Sequence, residues 1–159
     1  MRALRCLGKH RGFTLIELMV VMAVLGLTAS LLLPLAELNV QRERERELRA
    51  ALLEIRGAID AYRAAVKAGQ IAPPANESGY PPSLSALVES SIGSGGQVQH
   101  FLRRVPRDPF SEPGLPAEQT WAVRSYESPP EAPRPGADVY DVASRSERMG
   151  MNGIPLKEW

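Results

Sequence analysis

Between Phe13 and Ala36 the chain reads FTLIELMVVMAVLGLTASLLLPLA, 24 residues in which Glu17 is the only charge. Nothing else in the sequence restricts the fold so tightly. As a helix this run would be about 36 Å long, enough to cross a hydrocarbon core of about 30 Å. A helix that is apolar on every side cannot serve as one face of a small soluble core. It has to be surrounded by lipid or by other helices. A secretory signal peptide would carry a shorter apolar stretch followed by a small-x-small cleavage site, and this run meets neither condition well. The expectation is a transmembrane or assembly helix over 13–36.

The flanks do not orient that helix. Arg2, Arg5, Lys9 and Arg11 precede it, and Arg42, Arg44, Arg46 and Arg49 follow it closely, so the bias of basic residues is balanced. The four leading bases also hide an asymmetry. From residue 13 onward, 15 of the 19 Lys+Arg remain to face all 18 Asp+Glu. That remainder has no general reason to bind nucleic acid or anionic lipid. The single cysteine, Cys6, lies among the leading bases, with no apolar stretch before it that would make it a lipoprotein acylation site. If the leader is removed, no thiol is left for a disulfide, a nucleophile or a metal site.

Glu17 is the most informative residue. A carboxylate in an apolar span costs a few kcal/mol on insertion scales and by default points to function. The alternative is a carboxylate near a helix N-terminus, stabilised by the dipole and reaching toward the interface. Its neighbours weigh in. Arg11-Gly12-Phe13-Thr14-Leu15-Ile16-Glu17 resembles the prepilin processing motif of type IV pilins and type II secretion pseudopilins. The resemblance implies a leader over 1–12, cut after Gly12 by a membrane aspartyl peptidase that also N-methylates Phe13. It also implies that Glu17, fifth in the mature chain, acts in assembly. Pro34 matches a proline of the family's helix, where it would give a flexible point; a simple membrane-helix kink is the other reading. In a bundle of such helices, the new amine of Phe13 on an incoming subunit can pair with Glu17 of a neighbour. A buried charge left without that partner would cost about 3–5 kcal/mol, enough to select a register.

Beyond the run, opposite charges alternate. Arg42–Glu45, Glu43–Arg46 and Arg44–Glu47 are three residues apart, and Glu45–Arg49 four apart, each supporting a solvated helix by tenths of a kcal/mol. Charge pairing between subunits of a filament is the alternative use of these residues. Leu48, Leu52, Ile55, Ile59, Tyr62 and Val66 then recur at helical spacing as one apolar stripe. Gly69 is the expected stop. The reading is a single helix from 13 to about 68, whose amphipathic part (37–69) needs a sheet or loops to cover its stripe.

Residues 70–159 are expected to form a small α/β region. Twelve of the 14 prolines fall between 73 and 135, so much of it should be turns and loop. Ser83 is the candidate cap of a short helix with Leu84, Leu87 and Val88 inward and Gly93 at its end; Gly93-Ser94-Gly95-Gly96 reads as a mobile tip. Strands are expected at Trp121–Glu127 and Asp138–Val142. The fold class is α+β: a long N-terminal helix packed through its C-terminal half on a small antiparallel sheet with proline-rich loops, a pilin-like lollipop.

This half carries a second resemblance. Tyr80, Pro81, Leu84 and Leu87, followed by Leu102, Arg103, Arg104, Pro106, Asp108, Pro109 and Phe110, are similar to a pair of motifs in the major, G-type pseudopilin of type II secretion. The ending, with Asp141, Ser144 and Trp159, is similar to that family's tail. Many G-type members hold calcium in the loop after the last strand, which here would use Asp141 and Ser144. Arg148, however, stands where the second acid is expected, and a cation there opposes calcium. The expectation is therefore no cofactor, with Asp141 and Ser144 serving the turn.

No phosphate loop, metal-spaced cluster or catalytic constellation appears, and His100 is the only histidine after the leader. The sequence thus reads as an assembly subunit rather than an enzyme. As the resemblance implies, its partners would be further copies of itself, other pseudopilins, the prepilin peptidase and an inner-membrane assembly platform. Its place would be the bacterial inner membrane, single-pass, with the C-terminal region periplasmic. The alternative is a minor pilin or a competence pseudopilin that handles DNA through Arg103, Arg104 and Arg107.

Overall fold

A computed structural model of the chain describes residues 12–76, 78–89, 91–92 and 98–159, with the backbone alone at 31–36, 91 and 92. Residues 1–11 of the expected leader, with Cys6, lie outside the described residues, as do Gly93 and the expected tip at 93–96.

Helix α1 runs unbroken from Leu15 to Lys67, 53 residues. Its start and stop follow from the residues at its ends. The Thr14 hydroxyl accepts the Glu17 N–H at 3.3 Å, which satisfies one of the first unpaired backbone donors. At the other end Gly69 adopts φ +68°, the left-handed conformation that glycine takes without penalty. That turn lets Gln70 N–H reach the Ala65 carbonyl at 2.9 Å and Gly69 N–H reach that of Val66 at 3.0 Å, the Schellman closure of a helix.

The chain divides into two units, Met1–Gln41 and Arg42–Trp159. In the first, every described side chain from residue 12 to 30 is exposed. The second is built on the apolar stripe of α1. Leu48, Leu52, Ile55, Ile59 and Tyr62 are buried as expected, Val66 packs at the edge, and Ala51, Ala58 and Ala65 widen the stripe. Tyr80, Leu84, Leu87, Leu102, Trp121, Val139, Val142 and Leu156 close over it. Full burial of a Leu or Ile contributes about 1.5–3 kcal/mol, so this stripe is the main stabilising element of the unit.

Two strands, β3 (Trp121–Arg124) and β4 (Asp141–Ser144), pair antiparallel with Trp121 opposite Ser144 and Val123 opposite Val142. Both are displaced or shorter than expected. Beyond Arg124 the ladder ends because Ser125 N–H turns to the Arg134 carbonyl and Tyr126 N–H to the buried Asp138 carboxylate at 2.8 Å. Asp138 is thus a turn acceptor, and Val139 N–H is taken by Pro81. The strand therefore begins three residues late and extends through Ser144. A further antiparallel pair, β1 (Ser91–Ile92) with β2 (Val98–Gln99), was not anticipated from the sequence. The helix expected after Ser83 is a single 3-10 turn, Ser85–Leu87, with the Ser83 hydroxyl accepting the Ala86 N–H at 3.2 Å.

Candidate functional site

The first candidate is the N-terminal stretch itself. Gly12 and Phe13 precede the helix, and a side chain added at Gly12 would meet nothing within 4 Å. Phe13 and Leu15 are each 79% exposed, and Leu27, four turns on, is still 67% exposed. Glu17 lies in the first turn, one turn after Phe13, where the helix dipole favours a carboxylate. It is exposed, and no ion pair to it exists among the described residues. The hydroxyls further along are satisfied inside the helix: Thr28 donates to the carbonyls of Val24 and Leu25, and Ser30 to that of Gly26. Apart from Thr14 and Glu17, the described side chains of residues 13–30 therefore offer a neighbour only apolar atoms and hydroxyls already bonded to the helix backbone. No helix among the described residues is long and apolar enough to cross a membrane; the last six residues of the apolar run, 31–36, have no described side chains. Pro34 is one of them, and α1 continues through it.

The second feature was missed at the sequence level. Glu45, Arg49, Arg56 and Arg63 are four, seven and seven residues apart, which at 100° per residue keeps them within about 40° of one another. They form a charged stripe beside the apolar one, and each is engaged by residues elsewhere in the unit. Glu45 is buried and accepts the Met151 N–H at 2.9 Å. Arg49 lies over the Trp159 ring, 4.3 Å from its centroid. Arg56 donates from Nε to Asp141 Oδ1 at 2.8 Å, and from Nη2 to the Val142 carbonyl at 3.0 Å and the Trp159 main-chain oxygen at 2.8 Å. Arg63 stacks on Tyr80 at 4.3 Å and donates to its hydroxyl. Tyr80 in turn belongs to a triad with Tyr126 and Tyr140, centroids 5.0–5.6 Å apart. Burial pushes the Tyr80 hydroxyl above its ordinary range, with the Arg63 guanidinium opposing. Of the pairs expected along the helix, Glu43–Arg46 closes at 3.0 Å on the surface. Glu45 instead turns inward. The irregular 4-7-7 spacing of the four charges was the available signal.

Asp141 and Ser144 are both in β4, rather than in a loop after it, and the structure does not bring them together. Asp141 is bonded on Oδ1 by Arg56 and its neighbour's amide, and Arg124 approaches Oδ2 at 3.4 Å. Ser144, 1% exposed, donates its hydroxyl to Asp108 Oδ2 at 2.6 Å. A calcium ion needs six to eight oxygens, and here the one carboxylate is already faced by two guanidinium groups. The pair does not fit a calcium site. No group of three or more His, Cys, Asp or Glu able to hold a metal occurs among the described residues.

Asp108, in the Pro-x-Asp-Pro segment, is the other buried hub. Its Oδ1 accepts the Phe110 N–H at 2.8 Å, its Oδ2 the Ser144 hydroxyl, and its own N–H goes to Thr120 Oγ1. Two residues before it, the Pro106 carbonyl takes the indole N–H of the fully buried Trp121 at 2.8 Å. Arg103 and Arg104 are exposed, whereas the Arg107 guanidinium is bonded to the carbonyls of Glu112 and Leu115. His100 faces the Val88 carbonyl at 3.2 Å.

Residues 7–33 match the family model described as the prokaryotic N-terminal methylation motif. Three similar proteins each carry the name type II secretion system core protein G. That of Klebsiella pneumoniae is 31% identical over 102 residues, covering 64% of this chain and 70% of that protein. That of Pseudomonas aeruginosa is 30% identical over 109 residues, covering 66% and 71%. That of Escherichia coli is 26% identical over 107 residues, covering 67% and 71%. No solved structure matches the chain.

Proposed function

Since the chain belongs to the type II secretion system core protein G family, we propose that it is a structural subunit of a secretion pseudopilus, stored in the bacterial inner membrane and polymerised through its N-terminal helix. A prepilin peptidase cuts the precursor after Gly12 and the new N-terminus at Phe13 is methylated. The mature subunit then joins copies of itself and other pseudopilins at an inner-membrane assembly platform, with residues 70–159 in the periplasm. The role is structural rather than catalytic.

One observation carries this reading. The N-terminal helix exposes apolar side chains on all sides and presents a single carboxylate, Glu17, one turn from the cleavage point. Burying that surface against equivalent helices is favourable at about 25 cal/mol per Å², while burying Glu17 is tolerable only with a cation beside it. The amine created at Phe13 of the next subunit is a cation of the right size in the right place. The DNA-handling alternative gains no support, since Arg107 is engaged with its own loop and leaves only Arg103 and Arg104 in the patch.

Mass spectrometry of the protein from its native membrane tests the processing step, with a methylated Phe13 as the expected first residue. Glu17→Ala should be cut and methylated normally yet fail to enter sheared or cross-linked filaments. Filaments formed by that variant at the normal level would refute the pairing of Phe13 with Glu17.

A further inference from the structure

Three oxygens from two distant parts of the chain converge on one cation in the second unit. They are the Asp141 carboxylate (2.8 Å), the Val142 carbonyl (3.0 Å) and the Trp159 main-chain oxygen (2.8 Å), and the cation is the Arg56 guanidinium. A carboxylate and main-chain oxygens drawn from the last strand and the C-terminal segment are the donor chemistry that a hard divalent ion selects. Here the positive charge is covalently attached to α1. Arg124 adds a second guanidinium on the far carboxylate oxygen at 3.4 Å, completing the neutralisation of Asp141 from both sides. A calcium ion taking these three oxygens would have to displace Arg56 from all of them and would meet the charge of Arg124.

We propose that Arg56 is a built-in replacement for calcium: its guanidinium ties β4 and the C-terminal segment to the helix, and the fold of this subunit does not respond to divalent cations. The planar fork of arginine suits the task because it can serve several oxygens at once, which the single ammonium of lysine cannot do in the same plane. The C-terminal segment is held to the same helix stripe at two further points, Glu45 on Met151 and Arg49 on Trp159, so Arg56 is one of three clasps. The proposal leans on the family reading only for the contrast with calcium-holding members. The oxygen cage around Arg56 is independent of whether the subunit polymerises.

The test is thermal unfolding of the full-length chain in detergent micelles, followed by the fluorescence of Trp121 and Trp159, with calcium in the millimolar range or with EDTA. The expected result is a Tm that agrees within about 2 °C in the two conditions. A micromolar calcium site would raise it by more than about 10 °C under saturation, and such a rise overturns the proposal. Arg56→Met should lower Tm by about 5–10 °C and Arg56→Lys by roughly half as much, in EDTA and calcium alike. An Arg56→Met chain as stable as the wild type also overturns it. If that variant does not fold, the wild-type comparison and the lysine variant still decide. None of these readouts depends on filaments, so failure of the assembly reading would leave them unchanged.

Discussion

Asp108→Ala should be among the most damaging single changes in the second unit, although Asp108 touches no expected functional residue except Ser144. The side chain is 1% exposed and accepts two hydrogen bonds, from Phe110 N–H at 2.8 Å and from the Ser144 hydroxyl at 2.6 Å. Bonds to a charged acceptor contribute about 1.5–3 kcal/mol each, and the stranded Ser144 hydroxyl, itself 1% exposed, has no water to turn to. The expected loss is therefore about 3–5 kcal/mol. Asp108→Asn separates charge from shape. The amide keeps an acceptor for Phe110 and turns an NH2 toward Ser144, whose oxygen can accept, so the loss should be nearer 1–2 kcal/mol, roughly. Ser144→Ala leaves Asp108 Oδ2 buried without its donor, at a cost of about 1–3 kcal/mol. Because the two residues share one bond, the double variant should fall short of the sum by about 1–3 kcal/mol. Denaturant unfolding read by Trp121 suits the purpose, since its indole is bonded two residues away at Pro106. An Asp108→Ala chain within about 0.5 kcal/mol of the wild type, or strictly additive single changes, would refute the network.

Three further predictions use the same measurement. Gly150→Ala places a methyl 2.5 Å from Trp159 Cζ2 and 3.1 Å from the Ile154 carbonyl, so it should cost about 1–3 kcal/mol and move Trp159 off Arg49, visible in near-ultraviolet circular dichroism; Gly57→Ala, with open space at the added methyl, should instead gain about 0.5–1 kcal/mol. The hydroxyls of Tyr62 and Tyr80 are both pushed above 10.0 by burial. Below pH 10 they are neutral in the folded and unfolded chain alike and contribute no pH dependence. Above it the unfolded chain ionises first, so stability should fall with rising pH until the raised folded values are passed, and Tyr62→Phe should flatten that decline.

What could be read from the sequence was what is written locally. The stripe from Leu48 to Val66 repeats every three or four residues, and a helix turns every 3.6, so its burial needed no knowledge of what covers it. Gly69 was legible for the same reason, since only a residue at ease with positive φ can close the helix there. The strand ends were not. β3 stops where Ser125 and Tyr126 turn to Arg134 and Asp138, nine and twelve residues further on. Alternation along Trp121–Glu127 holds no record of those acceptors. The β1–β2 pair is two residues per strand, too short to have a period at all.

The charges divide in the same way. Read by nearest neighbours, Glu45 belonged to Arg42 or Arg49 and the stretch was a solvated face, as Glu43 and Arg46 indeed are. A side chain one turn from a buried leucine, however, faces the rim of the core, where a backbone donor or carbonyl without a partner is costly. There a charged group gains more from the loop above it than from its neighbour on the helix. Glu45, Arg56 and Arg63 are all of this kind. Glu17 differs from them in one physical respect: it shares the apolar setting but has no ion-pairing cation among the described residues of its own chain. An acid placed so, on a helix whose hydroxyls are already bonded internally, remains stable in water and becomes costly only when the helix is surrounded. In the proposed filament, packing against a second subunit would supply the cation that Glu17 lacks within its own chain.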